Sequence, residues 1–174
     1  MTIIGIILKI SLFFTLNTSF ELDLNKDLVL ERGEIKDGIF SIYSGDQKIF
    51  EENKDYKISE VLVGDILGDN KEEILVFLWK KGNYGNSKPF WINENDDSYK
   101  MHLFVYKLEN ASPLQISPIW QSSNLPFENV KNWLYDIDGD KKLELTTLQK
   151  TYNSNKLSFG IWDWNGWGFE KISK

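Results

Sequence analysis

One nine-residue acidic loop occurs twice in this chain. Residues 65–73 read Asp65-Ile66-Leu67-Gly68-Asp69-Asn70-Lys71-Glu72-Glu73, and residues 136–144 read Asp136-Ile137-Asp138-Gly139-Asp140-Lys141-Lys142-Leu143-Glu144. Apolar residues of strand type enter and leave each loop, and the offset is 136 − 65 = 71 residues. A second landmark repeats almost in step. Ile49-Phe50-Glu51-Glu52-Asn53 returns as Ile119-Trp120-Gln121-Ser122-Ser123-Asn124, at 120 − 50 = 70. Two independent markers at one spacing indicate a repeated supersecondary unit that buries its apolar face against a neighbour, as in propellers, solenoids and arrays.

The rest of the chain fits that frame. From Asp27 onward, runs of Ile, Val, Leu, Phe, Tyr and Trp are broken every eight to twelve residues or so by Gly, Asn, Asp or Pro, which is strand patterning. The last repeat reads as strands at 130–136, 143–150, 157–164 and 167–173, with Asn165-Gly166 predicting a type I′ hairpin turn. The middle repeat reads as strands at 59–65, 73–79, 102–108 and 114–121, its second and third strands separated by an insertion at 80–100. Upstream, residues 28–31, 38–43 and 48–51 match only strands two, three and four, with Gly45-Asp46 as a hairpin turn. The expected fold is all-β, built of antiparallel four-stranded blades of β-propeller type: two full blades and one partial blade, an incomplete propeller. The expected divisions are a hydrophobic leader at 1–20, a partial first blade at 21–57, a second blade at 58–124 and a third at 125–174. An unclosed stack exposes apolar end faces, so self-association through them is expected.

Composition narrows the partners. A formal charge of −6 and the lack of any basic patch argue against nucleic acid or an anionic membrane surface. With no Cys there is no disulfide framework, thiolate metal site or cysteine nucleophile. The apolar run Ile3 to Leu16 reads as a secretory signal and so implies export, with membrane contact only through this leader if it stays uncleaved. A start site placed within a longer protein is the alternative.

Hard cations such as calcium take six to eight oxygen ligands, supplied by alternating positions of a short loop and a carboxylate further on. In the second loop the first, third, fifth and ninth positions are Asp136, Asp138, Asp140 and Glu144, and Lys142 at the seventh offers a backbone carbonyl. Four carboxylates in nine residues repel one another unless a cation lies between them. The first loop has Leu67 at its third position, leaving Asp65, Asp69 and Glu73 as a weaker site. The alternative for both is an acidic turn whose Asp side chains cap backbone amides without metal.

The order strand, Asp-x-Asp-Gly-Asp-x-x-x-acid, strand resembles the FG-GAP and VCBS repeats of integrin alpha-chain-like β-propellers. The likeness covers 60–79 and 131–150 well and the outer strands by pattern. It implies structural calcium held by Asp136, Asp138, Asp140 and Glu144, tying two strands of one blade together. Lys141 stands where that family usually has Gly, at a position that often needs a left-handed backbone.

The insertion is the departure from a plain repeat, and loops carry function more often than scaffolds do. Tyr84, Phe90 and Trp91 are candidates to stack on a sugar or peptide, with Asn93 and Glu94 beside them; the alternative is that Phe90 and Trp91 fold back as a plug over the blade edge. The Trp162, Trp164 and Trp167 set is expected to pack between blades rather than to form a carbohydrate platform. The single His102 supports no Ser-His-Asp arrangement. The function expected is a non-catalytic, exported, calcium-binding module for a protein or glycan at the cell surface. The alternative is a polysaccharide hydrolase or accessory domain using Glu94, Asp96 or Asp97.

Overall fold

The structure, a computed structural model, describes residues 17–24, 27–83, 90–91, 93, 96–109, 113–154 and 156–172. The leader residues 1–16 lie outside them. The described strands form three antiparallel sheets of four, each a meander in chain order. The first holds β1 (Asn17–Leu22), β2 (Glu31–Lys36), β3 (Ile39–Ser44) and β4 (Gln47–Glu51). The second holds β5 (Lys57–Gly64), β6 (Glu73–Lys81), β7 (Tyr99–Glu109) and β8 (Gln115–Gln121). The third holds β9 (Glu128–Tyr135), β10 (Glu144–Lys150), β11 (Leu157–Trp164) and β12 (Phe169–Lys171).

The first unit is therefore complete, contrary to the expected partial blade. Residues 17–22 cross the boundary drawn at residue 20 and pair with β2 from Asn17↔Lys36 to Leu22↔Glu31. The second strand of this unit is also later in the chain than residues 28–31. Asp37 and Gly38 both have positive φ, 53° and 78°, and make a two-residue turn between Lys36 and Ile39, which places β2 before it. Residues 17–22 hide a strand whose Phe20 and Leu22 pack against the core, and the Phe20 ring lies over Gly33, where an added Cβ would stand 2.3 Å from Phe20 Cζ.

The second sheet is covered on both faces. Ile74, Val76, Leu78, Phe104 and Tyr106 pack with Phe40 and Ile42 of the first sheet. Leu75, Phe77, Leu103 and Val105 pack with Leu134, Leu145 and Trp164 of the third. This two-sided burial explains why β6 reads as a near-continuous apolar run rather than an alternating one. The third sheet comes close because Gly64 has no side chain: a Cβ there would stand 2.6 Å from Leu143 Cδ1 and 2.9 Å from Leu134 Cδ1.

Two local readings change. The hairpin joining β11 and β12 is present, but its loop spans residues 165–168, between the pair Trp164↔Phe169. Gly166 and Gly168 carry the positive φ there, while Asn165 uses its side chain to accept from the Trp167 amide at 3.0 Å. The insertion is shorter than 80–100, because the β6–β7 ladder continues to Lys81↔Tyr99. Trp79 and Tyr99 stack at 5.7 Å between ring centres, and the buried Lys80 ammonium donates to the Lys81 and Gly82 carbonyls, closing the extended ladder.

Candidate metal centre

Both duplicated loops join the first two strands of a sheet, and so does a third loop that sequence reading passed over. Residues 23–31 carry Asp23, Asn25, Asp27 and Glu31 at the first, third, fifth and ninth positions. The carboxylate spacing is legible in the sequence, but the weakly apolar residues 17–22 before it give no strand signal to frame it. Asn25 and Lys26 lie outside the described residues.

The three loops share their bonding. The ninth-position glutamate accepts from the second-position amide in each: Glu31 from Leu24 at 3.1 Å, Glu73 from Ile66 at 3.1 Å and Glu144 from Ile137 at 2.7 Å. The first-position aspartate accepts the sixth-position amide in each: Asp23 from Leu28 at 2.9 Å, Asp65 from Asn70 at 2.7 Å and Asp136 from Lys141 at 3.0 Å. The sixth residue is left-handed every time, with φ of 72° at Leu28, 64° at Asn70 and 78° at Lys141. A non-glycine residue there is strained by about 1 kcal/mol or more, and strain of this kind persists where surrounding bonds over-determine the backbone.

Burial raises the pKa of all three glutamates, and the neighbouring aspartates add to the rise against the opposing effect of the amide donors. Glu73, only 1% exposed, is pushed up to about 7. One oxygen of Glu31, Oε1, is buried without a hydrogen-bond partner.

Only the 136–144 loop, among the described residues, gathers three metal-capable carboxylates. Oxygens of Asp136, Asp138 and Glu144 all lie within 4.8 Å of one another. Two oxygens on one calcium, each about 2.3–2.6 Å from it, stand at most about 5 Å apart, so the spacing fits that ion. Asp140 does not join the group; its Oδ1 accepts the Lys142 amide at 2.8 Å. The Lys142 ammonium turns away to Asp163, at 2.5 Å, and to the Trp164 carbonyl at 2.8 Å. In the 65–73 loop, Asp65 caps the amides of Gly68, Asp69 and Asn70, and Leu67 packs into the apolar cluster between the second and third sheets. Asp65, Asp69 and Glu73 form no comparable group. Amide capping therefore occurs in both loops, and carboxylate convergence in one.

The other candidates separate. Phe90 and Trp91 are 90% and 68% exposed and meet edge to face at 4.8 Å, so they do not plug the sheet edge. Asn93 is exposed; Tyr84 and Glu94 lie outside the described residues. Asp96 caps the Ser98 amide at 2.9 Å, and the Ser98 hydroxyl and amide hold its carboxyl below the usual range. His102 is buried, with Nδ1 3.0 Å from the Ser122 carbonyl oxygen. Trp164 packs with Trp120 and Phe169 between sheets and Trp162 packs beside them, whereas Trp167 is 90% exposed.

Comparison with family models, with curated proteins and with solved structures returns no match to this chain.

Proposed function

We propose that the chain is an exported, non-catalytic repeat module of β-propeller type, related to FG-GAP and VCBS repeats, that holds structural calcium in its 136–144 loop and binds a protein or glycan through the β6–β7 insertion. The observation that carries this reading is the convergence of Asp136, Asp138 and Glu144 at a calcium-compatible spacing. When bound, the cation supplies the charge that offsets their mutual repulsion. Asp136 holds the loop closed through the Gly139 and Lys141 amides, and Glu144 ties the start of β10 to Ile137. The exposed Phe90 and Trp91 pair supports the insertion as the partner-binding surface, because aromatic anchors dominate such contacts.

A thermal melt tests the metal. Binding to the folded state alone adds about 2.7 kcal/mol at one hundred times Kd. The melting temperature is expected to rise from chelator to millimolar calcium, and Asp138→Leu is expected to remove most of the rise. A wild-type melt indifferent to calcium overturns the reading.

A further inference from the structure

Register assigns each sheet a leading and a trailing face. Counting from Glu73, Ile74 and Val76 turn toward the first sheet while Leu75 and Phe77 turn toward the third. Counting from Glu144, Leu145 and Thr147 take the leading side, facing the second sheet, and Thr146 and Leu148 the trailing side. In the first sheet the leading side carries Arg32, Glu34 and Lys36. Arg32 pairs with Glu34 at 2.6 Å and lies 4.3 Å over the Tyr43 ring, and Lys48 pairs with Glu51 beside it. That face is a polar cap of the kind a repeat stack needs at its end. Apolar faces were expected at both ends, whereas among the described residues the leading end is polar.

The trailing face of the third sheet carries an apolar row, rimmed by Lys131, the Lys150–Glu128 ion pair and the Asp163–Glu170 pair of positions. Pairing places Trp133 across from Thr146 and Thr146 across from Ile161, and Leu148 across from Phe159. Ile172 continues the row through its amide bond to Ile161. In the second sheet the matching positions are Leu62, Leu75, Phe77, Leu103 and Val105, all buried against the third sheet. In the third sheet Phe159 is 65% exposed and Ile172 48% exposed, with Trp133, Leu148 and Ile161 half-buried.

We infer that this face is an interface between two copies of the chain, packed trailing face to trailing face across a twofold axis. Head-to-tail stacking would press it onto the leading face of the first sheet of a second copy, which carries Arg32, Glu34 and Lys36 among the described residues. Those charges would lose water without gaining partners. Back-to-back packing sets the apolar row of one copy on that of the other, leaves the charged rim at the solvent edge, and closes at two copies. Four strands about 4.8 Å apart and about five residues at 3.3 Å give a footprint of roughly 19 by 17 Å. The total buried area then stays below about 1,000 Å², the small end for specific interfaces, so the dimer is reversible and concentration-dependent rather than obligate.

Sedimentation velocity of the full chain across a wide concentration series tests this, independently of any metal. A monomer–dimer equilibrium without larger species is expected. Phe159→Asp, and separately Ile172→Asp, should raise the concentration of half-dimerisation by about tenfold or more, with the melting temperature of dilute protein unchanged. Lys48→Glu, on the polar cap, should leave it unchanged. A monomer at every concentration, open-ended growth, or a dimer indifferent to both face variants overturns the inference.

Discussion

The backbone amide of Leu143 donates to the carbonyl of Asp65 at 2.9 Å, which fastens the 136–144 loop to the 65–73 loop. One repeat earlier, the Glu72 amide donates to the Leu24 carbonyl at 3.0 Å. The three loops thus form a linked row along one end of the stack, so a change in one bears on the packing of its neighbour.

Leu67→Asp gives the 65–73 loop the carboxylate that its third position lacks. Without calcium the variant is expected to lose about 1–2 kcal/mol, since Leu67 packs partly buried between the second and third sheets. With calcium the stoichiometry in calorimetry should rise by one. Unchanged stoichiometry would count against the equivalence of the two loops.

Lys141→Gly relieves a left-handed backbone, with φ of 78°, at an exposed side chain. A gain of about 1 kcal/mol in unfolding free energy is expected, measured in urea with chelator present. A loss of stability would show that the Lys141 side chain contributes more than its backbone costs.

Glu73 provides a pH signature. Its carboxyl is pushed from 4.5 up to about 7 in the folded chain, so the folded state holds the proton more tightly than the unfolded state between those values. Stability from this group is full below the unfolded pKa and lost as pH rises through about 7. Metal-free wild type should therefore lose a few kcal/mol relative to Glu73→Gln between pH 4.5 and 7. Parallel pH profiles of the two proteins would refute the assignment.

Trp91→Ala is expected to change unfolding free energy by less than about 0.5 kcal/mol, because the ring is exposed. A drop in melting temperature of several degrees would return Trp91 to a structural role. A glycan array and a pull-down with the same preparation should show loss of any partner that wild type retains.

Gly64→Ala probes the approach of the third sheet to the second. The added methyl meets Leu143 and Leu134 at under 3 Å, and a cost of about 1–3 kcal/mol is expected from urea unfolding. No change would mean that the two leucines move aside freely.

The sequence by itself determined the all-β class, most of the hairpins and the two Asp-led loops, because these rest on local signals: alternation, turn residues and carboxylate spacing within nine residues. A left-handed backbone at residue 141 was implied only through the family resemblance, and Lys141 has φ of 78°. Only the tertiary structure decided which residues of the outer segments became strands. Residues 17–22 are weakly apolar and pair because β2 stands beside them and Gly33 leaves room for Phe20. Adding that strand brought residues 23–31 into line with the other loops. Which loop gathers carboxylates was legible at the third position, Leu67 in one loop and Asp138 in the other, whereas the exclusion of Asp140, which caps the Lys142 amide, was decided by the folded loop. Leu67 is drawn into the core between two sheets, whereas Asp138 stays at the surface with Asp136 and Glu144. The polarity of the two end faces follows the same logic. Side-chain alternation is visible along a strand, but which face meets another sheet depends on neighbours some 70 residues away in the chain, and that is settled only when the sheets stack.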